Sequence, residues 1–388
     1  MTRFTRSILC VTALFFAAVY SVSASVIPLG SDCKLLAIDL PEGFYLTSKN
    51  EDANGKTLQL QNSLLPVTAV IKIYKKDIFK SAAEAMSDNI KRLKAQSDTD
   101  TFKWRNQDFT FSIYTSGKGR YGTTGYAASV IIPETEETLF LLVYTQQSMQ
   151  ESCSNLMLSF IDGLCIDYGS YYEAGPVTVF LNPDSENFTE VSMNIDGKDI
   201  KSFIRESDRE ASDFLISREY KVLELYAGSS EWQEAWKRYY RMVFRDSVKR
   251  LNRVSFDIFN TLNPCCADDT DLAQKLMTWT QGMEYEREKT SSDFTSMPAI
   301  LQGEGCDCDS RCMLLSVLLR SMNMDSIMFV SSVYSHAVAG FVSTHPGHSF
   351  KADSKDYLIG ETTVKGLTWG MIAQEQDNPE NWIPVLFY

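Results

Sequence analysis

Histidine is scarce in this chain: three residues in 388, at positions 336, 345 and 348. Imidazole acid–base chemistry is therefore confined to the C-terminal part. An excess of positive charge is also missing, because 37 Lys and Arg face 50 Asp and Glu for a net charge of -13. Neutralising phosphates requires surplus cations, so nucleic acid is excluded as a partner. After the first 25 residues no run is apolar enough to span a bilayer. Internal repeats and low-complexity tracts are absent, and no acidic loop has the ligand spacing of a calcium site. Residues 33–165 hold no histidine and no clustered carboxylates, so a binding or positioning role is expected there. What is present is ordinary globular composition, 44% hydrophobic and 22% charged, in a chain long enough for two or three domains.

The opening "MTRFTRSILCVTALFFAAVYSVSAS" has the parts of an export signal. Arg3 and Arg6 give the positive end, Ile8 to Val22 the apolar stretch, and Val22-Ser23-Ala24 the small residues for cleavage after Ala24. The alternative is an uncleaved membrane anchor. Cleavage takes the net charge from -13 to -15 and removes Cys10. Eight cysteines remain: Cys33, Cys153, Cys165, Cys265, Cys266, Cys306, Cys308 and Cys312. An exported chain can oxidise them, with two of Cys33, Cys153 and Cys165 the simplest pair and a fully reduced set the alternative; a vicinal Cys265–Cys266 bridge is a rarer option. The expected location is periplasmic or extracellular.

The pattern predicts an α+β protein. Residues 25–168 read as an N-terminal unit of strands, a helix near 81–96, a strand meander and a closing element over "SCSNLMLSFIDGLCI". Residues 169–262 read as a bridging segment. Its β signals are "PVTVFLN", "FTEVSMNIDGKD" with an Asp-Gly turn, and "REYKVLELYAGSS". A long helix follows, started by a capping box of Ser230 and Gln233. Its apolar face, Trp232, Trp236, Tyr240, Val243 and Phe244, is expected to dock the front of the chain onto residues 263–388.

That last unit contains "GEGCDCDSRCMLLSVLLRSM", residues 303–322, with three cysteines within seven residues. Two glycines, then Cys312, Leu315, Leu319 and Met322 at helical spacing, place Cys308 in a first helical turn. Free N–H groups and the positive end of the helix dipole favour a thiolate there and can hold an oxyanion. Cys312 is expected to be a small core residue, and Asp307 and Asp309 helix-capping carboxylates, Asp309 also within reach of Arg311 or Arg320. Downstream, His336 opens a strand and Glu361 ends the next. Cysteine, histidine and carboxylate in this order suit a thiol nucleophile, its base, and an acid that fixes the imidazole.

"GEGCDCDSRCMLLSVLLRSMNMDSIMFV", "YSHAVAGF" and "YLIGETT" together resemble the transglutaminase-like cysteine-hydrolase superfamily, in its bacterial branch with a G-D-C-D-S/D-K/R core. The likeness covers residues 265–375, under a third of the chain. It implies a papain-like fold with Cys308 as nucleophile, His336 as general base and acid, and Glu361 as orienting acid. Many members carry Asp where Glu361 stands, and Asp356 is the nearby substitute. Gln302, six residues ahead of Cys308, matches the oxyanion glutamine of papain-like enzymes. Cys306 is a departure that invites a disulfide with Cys308. The order of elements in the N-terminal unit is similar, in topology alone, to small sheet domains of the PsbP and Mog1 type.

The expected activity is hydrolysis of peptide or isopeptide amides through a thioester, with no cofactor and with a peptide or protein as substrate. Cross-linking of proteins and a non-catalytic envelope-binding module on the same fold are the alternatives. Zinc held by Cys306, Cys308 and Cys312 with His345 or His348 is a further rival, although "STHPGHS" reads more simply as a hairpin loop.

Overall fold

The computed structural model describes residues 27–29, 36–287 and 292–388. The leader, Cys10 and Cys33 lie outside the described residues. The architecture is α+β, as expected, with every strand pair in its sheets antiparallel. No helix among the described residues is long and apolar enough to cross a membrane.

Short strands β1 (Ile27–Pro28) and β2 (Ala37–Ile38) come first. β3 (Phe44–Asp52), β4 (Gly55–Asn62) and β5 (Thr68–Tyr74) form a meander, followed by α1 (Ala82–Leu93). β6 (Gln96–Trp104), β7 (Gln107–Ser116), β8 (Thr123–Ile131) and β9 (Thr138–Gln146) complete a seven-stranded sheet of order β3-β4-β5-β9-β8-β7-β6. Alternation sends Leu139, Leu141 and Val143 of β9 to one face and Phe140 and Leu142 to the other. Helix α2 (Gln150–Asp162) covers the first face with Leu156, Met157 and Phe160, and α1 covers the second with Met86 and Ile90. β10 (Leu164–Cys165) then returns to pair with β2.

The bridging segment departs from its β-rich reading. "PVTVFL" is α3 (Pro176–Leu181), a helix. Pro176 starts it, and the buried Asp162 carboxylate accepts from the N–H groups of Val177 (2.8 Å) and Thr178 (3.1 Å). A cap supplied from α2 thus overrides the strand preference of the valines. β11 (Phe188–Ile195) and β12 (Lys198–Arg205) form the expected hairpin, with Asp196 and Gly197 both at positive φ. "REYKVLE" closes the helix α4 (Asp208–Glu224) instead of forming a strand. Its aromatic and β-branched residues fit a helix because Ala211, Leu215, Ile216 and Val222 are all buried.

Helix α5 (Trp232–Leu262) runs for 31 residues. Glu231 is its N-cap and no side chain caps it, so the capping box at Ser230 and Gln233 does not form. The aromatic face is core: Trp232 packs against the front core, and Tyr240, Val243 and Phe244 belong to the rear one. A second face carries Arg238, Arg241 and Arg245, which sequence gave no reason to bury. Arg238 reaches the backbone oxygens of Asp39 (3.1 and 3.0 Å) and Ser159 (3.1 Å), the Ser159 hydroxyl (2.9 Å) and the Glu219 carboxylate (2.8 Å). Arg241 grips Asp39 with two 2.9 Å bonds. Arg245 donates to the carbonyls of Asp162, Leu164 and Glu173. Planar guanidinium forks can satisfy buried carbonyls and carboxylates together.

Beside this network Glu42 is buried with one carboxylate oxygen unpartnered. Burial raises its pKa from 4.5 to about 8. A carboxyl raised in the folded state favours folding below its unfolded pKa and loses that contribution as pH climbs to about 8. Glu42→Gln should therefore flatten the fall in stability between pH 5 and 8. It should add roughly 1–3 kcal/mol at pH 8, read from urea unfolding midpoints at both pH values.

The remaining elements are α6 (Asp269–Gln281), α7 (Met297–Leu301), α8 (Cys308–Ser321), β13 (Ser326–Ser331), β14 (His336–Val342), β15 (Ser349–Ala352), β16 (Lys355–Gly360) and β17 (Ile383–Val385). The strands form a sheet of order β15-β16-β14-β13-β17. Met328, Val330, Ala337, Ala339 and Leu358 face the core built on α8, while Phe329, Val338, Tyr357 and Ile359 form a smaller cluster with Trp382 behind. All seven described cysteines are free thiols. Cys153 and Cys165 are buried singly, with no bridge between them.

Candidate active site

Helix α8 begins at Cys308. Gly303 (φ +98°) turns the chain after α7, and Asp307 caps the new helix by accepting from the Ser310 N–H at 2.9 Å. Cys308 thus occupies the first helical position, as the glycine and leucine spacing predicts. Behind it Cys312 is fully buried with its sulfur 3.4 Å from the Thr362 hydroxyl, a core residue as expected.

His336 is the first residue of β14, and Glu361 directly follows β16, the strand paired with β14. That pairing brings the two side chains together: His336 Nε2 lies 2.7 Å from Glu361 Oε2. The other carboxylate oxygen accepts from the Thr363 N–H (2.7 Å) and hydroxyl (2.6 Å). Burial alone would raise the Glu361 pKa, yet the bonds from His336 and Thr363 outweigh it and hold the group below its ordinary value. Glu361 is therefore an ionised acceptor that fixes the imidazole through Nε2. Among the described residues Nδ1 carries no hydrogen bond. Trp382 packs edge-on to the ring with centroids 6.3 Å apart. Asp356, the substitute considered for Glu361, is exposed on β16 opposite Lys351 and takes no part.

The Ala337 N–H, next to His336, acts on the Cys308 sulfur and favours its charged form. The expectation of a thiolate at the helix start is corrected here. Burial comes first, since Cys308 is only 3% exposed. The charges of Asp309 and Asp307 come next, and with burial they push the thiol well above its usual pKa; the Ala337 N–H opposes them. The S–H donates to Asp309 Oδ1 at 3.3 Å. Burial first, and then the two carboxylates beside the sulfur, favour a protonated thiol at rest. Asp309→Asn, which keeps a carbonyl oxygen but removes a charge, should speed iodoacetamide alkylation of Cys308 at pH 7 by about tenfold or more. Peptide mapping with timed quenching measures this.

Asp309 is not a helix cap, nor does it pair with Arg311 or Arg320. It accepts from the Tyr240 hydroxyl of α5. Arg311 instead donates to the carbonyls of Thr362 (3.2 Å) and Met283 (2.8 Å), and Arg320 pairs with Asp325. Tyr240 and Tyr285 are site residues that the sequence reading missed as such. Residues 284–286 run alongside Cys306, joined by Cys306 N–H to Glu284 O at 3.1 Å. This sets Tyr285, half-exposed, near Cys308; burial before all else raises its phenol to about 12. A tyrosine 23 residues from its target leaves no periodic signal, so only the fold could reveal it.

Gln302 does not join this group. It is exposed at the end of α7, and its carbonyl oxygen accepts from Arg209 at 3.4 Å. Asp307, Cys308 and Asp309 present atoms within 4.8 Å of one another that could ligate a cation, though each of these side chains already has a hydrogen bond. The zinc alternative does not assemble: His345 faces Asp268 (3.2 Å) and His348 faces Asp377 (3.0 Å), both exposed. Cys306 packs against the Met283 sulfur at 3.9 Å, and no disulfide joins it to Cys308.

No protein-family model matches the chain, and no curated protein matches it. Among solved structures it is similar to the solution structure of cyanobacterial PsbP (CyanoP) from Synechocystis sp. PCC 6803. That likeness has a TM-score of 0.29 and 9% identity, covering 34% of this chain and 86% of that one. It concerns the N-terminal region and carries no argument about activity.

Proposed function

We propose that the protein is an exported thiol hydrolase of transglutaminase-like type, cutting peptide or isopeptide amides by acyl transfer through Cys308. The observation that carries the reading is the juxtaposition of three parts. A cysteine stands at the first position of a buried helix, the N–H of the residue after a histidine acts on its sulfur, and an ionised glutamate holds that imidazole by Nε2 at 2.7 Å.

The chemistry follows from these positions. His336 Nδ1, left open by the Glu361 bond, takes the thiol proton as the sulfur attacks the amide carbonyl. The new oxyanion lies toward the free N–H groups at the start of α8. His336 returns the proton to the departing nitrogen, and a thioester remains on Cys308. Water, activated by the same imidazole, adds to the thioester; its collapse releases the acid and restores the thiol. Glu361 keeps the ring oriented and supports its cationic form during both transfers.

Glu361→Gln keeps the shape and removes the charge. It should cut kcat/KM by at least about tenfold, with Glu361→Asp retaining more activity than Gln. The reading itself is tested by mixing the native chain with activated acyl-peptide esters and weighing the intact protein. An acyl adduct mapped to Cys308, released by water, is expected; release only to an added amine points to cross-linking. No adduct at Cys308 with any ester would end the proposal.

A further inference from the structure

Beside the candidate site lies a cavity of about 220 Å³ whose lining includes Asp213, Glu286, Asp293, Ser296 and Glu304 and, among the described residues, no cationic side chain. It adjoins the first turn of α8. The Thr295 N–H donates to the Ser310 hydroxyl at 2.9 Å, and Phe294 packs on Tyr240 (6.3 Å between centroids), whose hydroxyl binds Asp309. The charge of Asp293 is felt at both Asp307 and Asp309.

Its carboxylates are only partly answered by the protein. Arg209 serves Asp213 (3.6 Å) and Glu304 together, and Arg287 serves Asp293 at 2.8 Å. Among the described residues, the Glu286 carboxylate has neither an ion pair nor a hydrogen bond. Ser296 is only 2% exposed, yet its hydroxyl oxygen has no hydrogen-bond partner. A buried hydroxyl without a partner costs stability unless something else meets it. An ammonium or guanidinium group supplies several donors and the charge that Glu286 lacks.

We propose that this cavity receives a cationic side chain, lysine, arginine or a similar amino-bearing residue, flanking the amide that Cys308 attacks. The inference rests on the thiol-hydrolase reading and adds a substrate class to it. A bound cation here also offsets the negative field that keeps Cys308 protonated, so binding and activation of the nucleophile go together.

The test uses the full chain and fluorogenic peptides carrying lysine or uncharged norleucine on either side of the scissile amide. The expected kcat/KM ratio favours lysine by about tenfold or more, and Glu286→Gln/Asp293→Asn lowers that ratio several-fold. Ser296→Ala, a small change suited to folding, should weaken lysine preference without lowering the melting temperature. The same peptides are titrated calorimetrically against Cys308→Ala. Cleavage without lysine preference overturns the pocket and leaves the hydrolase reading standing. Selective binding of lysine peptides without cleavage keeps the pocket and removes the hydrolase reading. Neither cleavage nor selective binding overturns both.

Discussion

Replacing Cys308 by alanine is expected to lower peptide turnover by at least about 10³-fold while the fold persists. Loss of a nucleophile leaves only the rate that binding and oxyanion donors supply. Alanine is smaller than cysteine and favours helix, so position 308 at the head of α8 tolerates it. Asp309 keeps its bond from Tyr240 after the sulfur is gone. Cys306 and Cys312 do not substitute. The first packs against Met283, and the second points at Thr362 one turn deeper, fully buried. The measurement pairs steady-state turnover with iodoacetamide labelling of native, Cys308→Ala and Cys306→Ala proteins. Turnover should vanish in the first variant and survive in the second. Undiminished turnover in Cys308→Ala would remove the chemical basis of the proposal.

The second large effect concerns stability. Arg238→Ala should cost about 3–5 kcal/mol of unfolding free energy, the range for breaking a buried ion pair by removing one partner. Arg238 is 2% exposed and serves Glu219, Ser159 and the Asp39 carbonyl at once. Its removal takes one of two cations from the buried Glu219, which keeps Arg218 and the Ser159 hydroxyl, and leaves the buried Asp39 and Ser159 carbonyls without their guanidinium donor. Asp39 adds a pH signature. Burial favours its neutral form, yet Arg241 and Arg238 prevail and hold its pKa at about 2, below the model-peptide 3.8. A depressed carboxylate stabilises the fold above its unfolded pKa and loses that contribution as pH falls from about 4 to 2. Urea titrations at pH 7 should show the midpoint of Arg238→Ala reduced, and acid titrations should show it unfolding at higher pH than the native chain. An unchanged midpoint would mean the network is not what joins the elements.

The parts of the site legible in sequence were those with local causes. Glycines followed by leucines at helical spacing placed Cys308 at a helix start, and adjacent strands joined His336 to Glu361. Electrostatics at the sulfur was not legible, because the direction depends on where Asp307 and Asp309 point and on how little water reaches Cys308. A helix dipole is a general tendency; one carboxylate bonded to the sulfur and a second with an oxygen within 4.8 Å of it are specific facts of this fold. Gln302 failed as an oxyanion candidate because sequence offset says nothing about which side of a loop a residue faces. In the fold, "PVTVFL" and "REYKVLE" misled because β-branched and aromatic residues fit either state until a cap or a buried face decides. The arginines of α5 were hidden for a related reason: spacing marks a face, not whether that face meets water or carbonyls.

Tyr240 and Arg238 sit two residues apart on α5, one bonded to the acid beside Cys308, the other to the loop that opens the front sheet. Excising the first 168 residues would thus strip Asp39, Ser159, Asp162 and Leu164 from the same rod that props the candidate site. A shortened recombinant fragment is the wrong specimen for assay; inactivity in it would report a collapsed strut, not the absence of an enzyme.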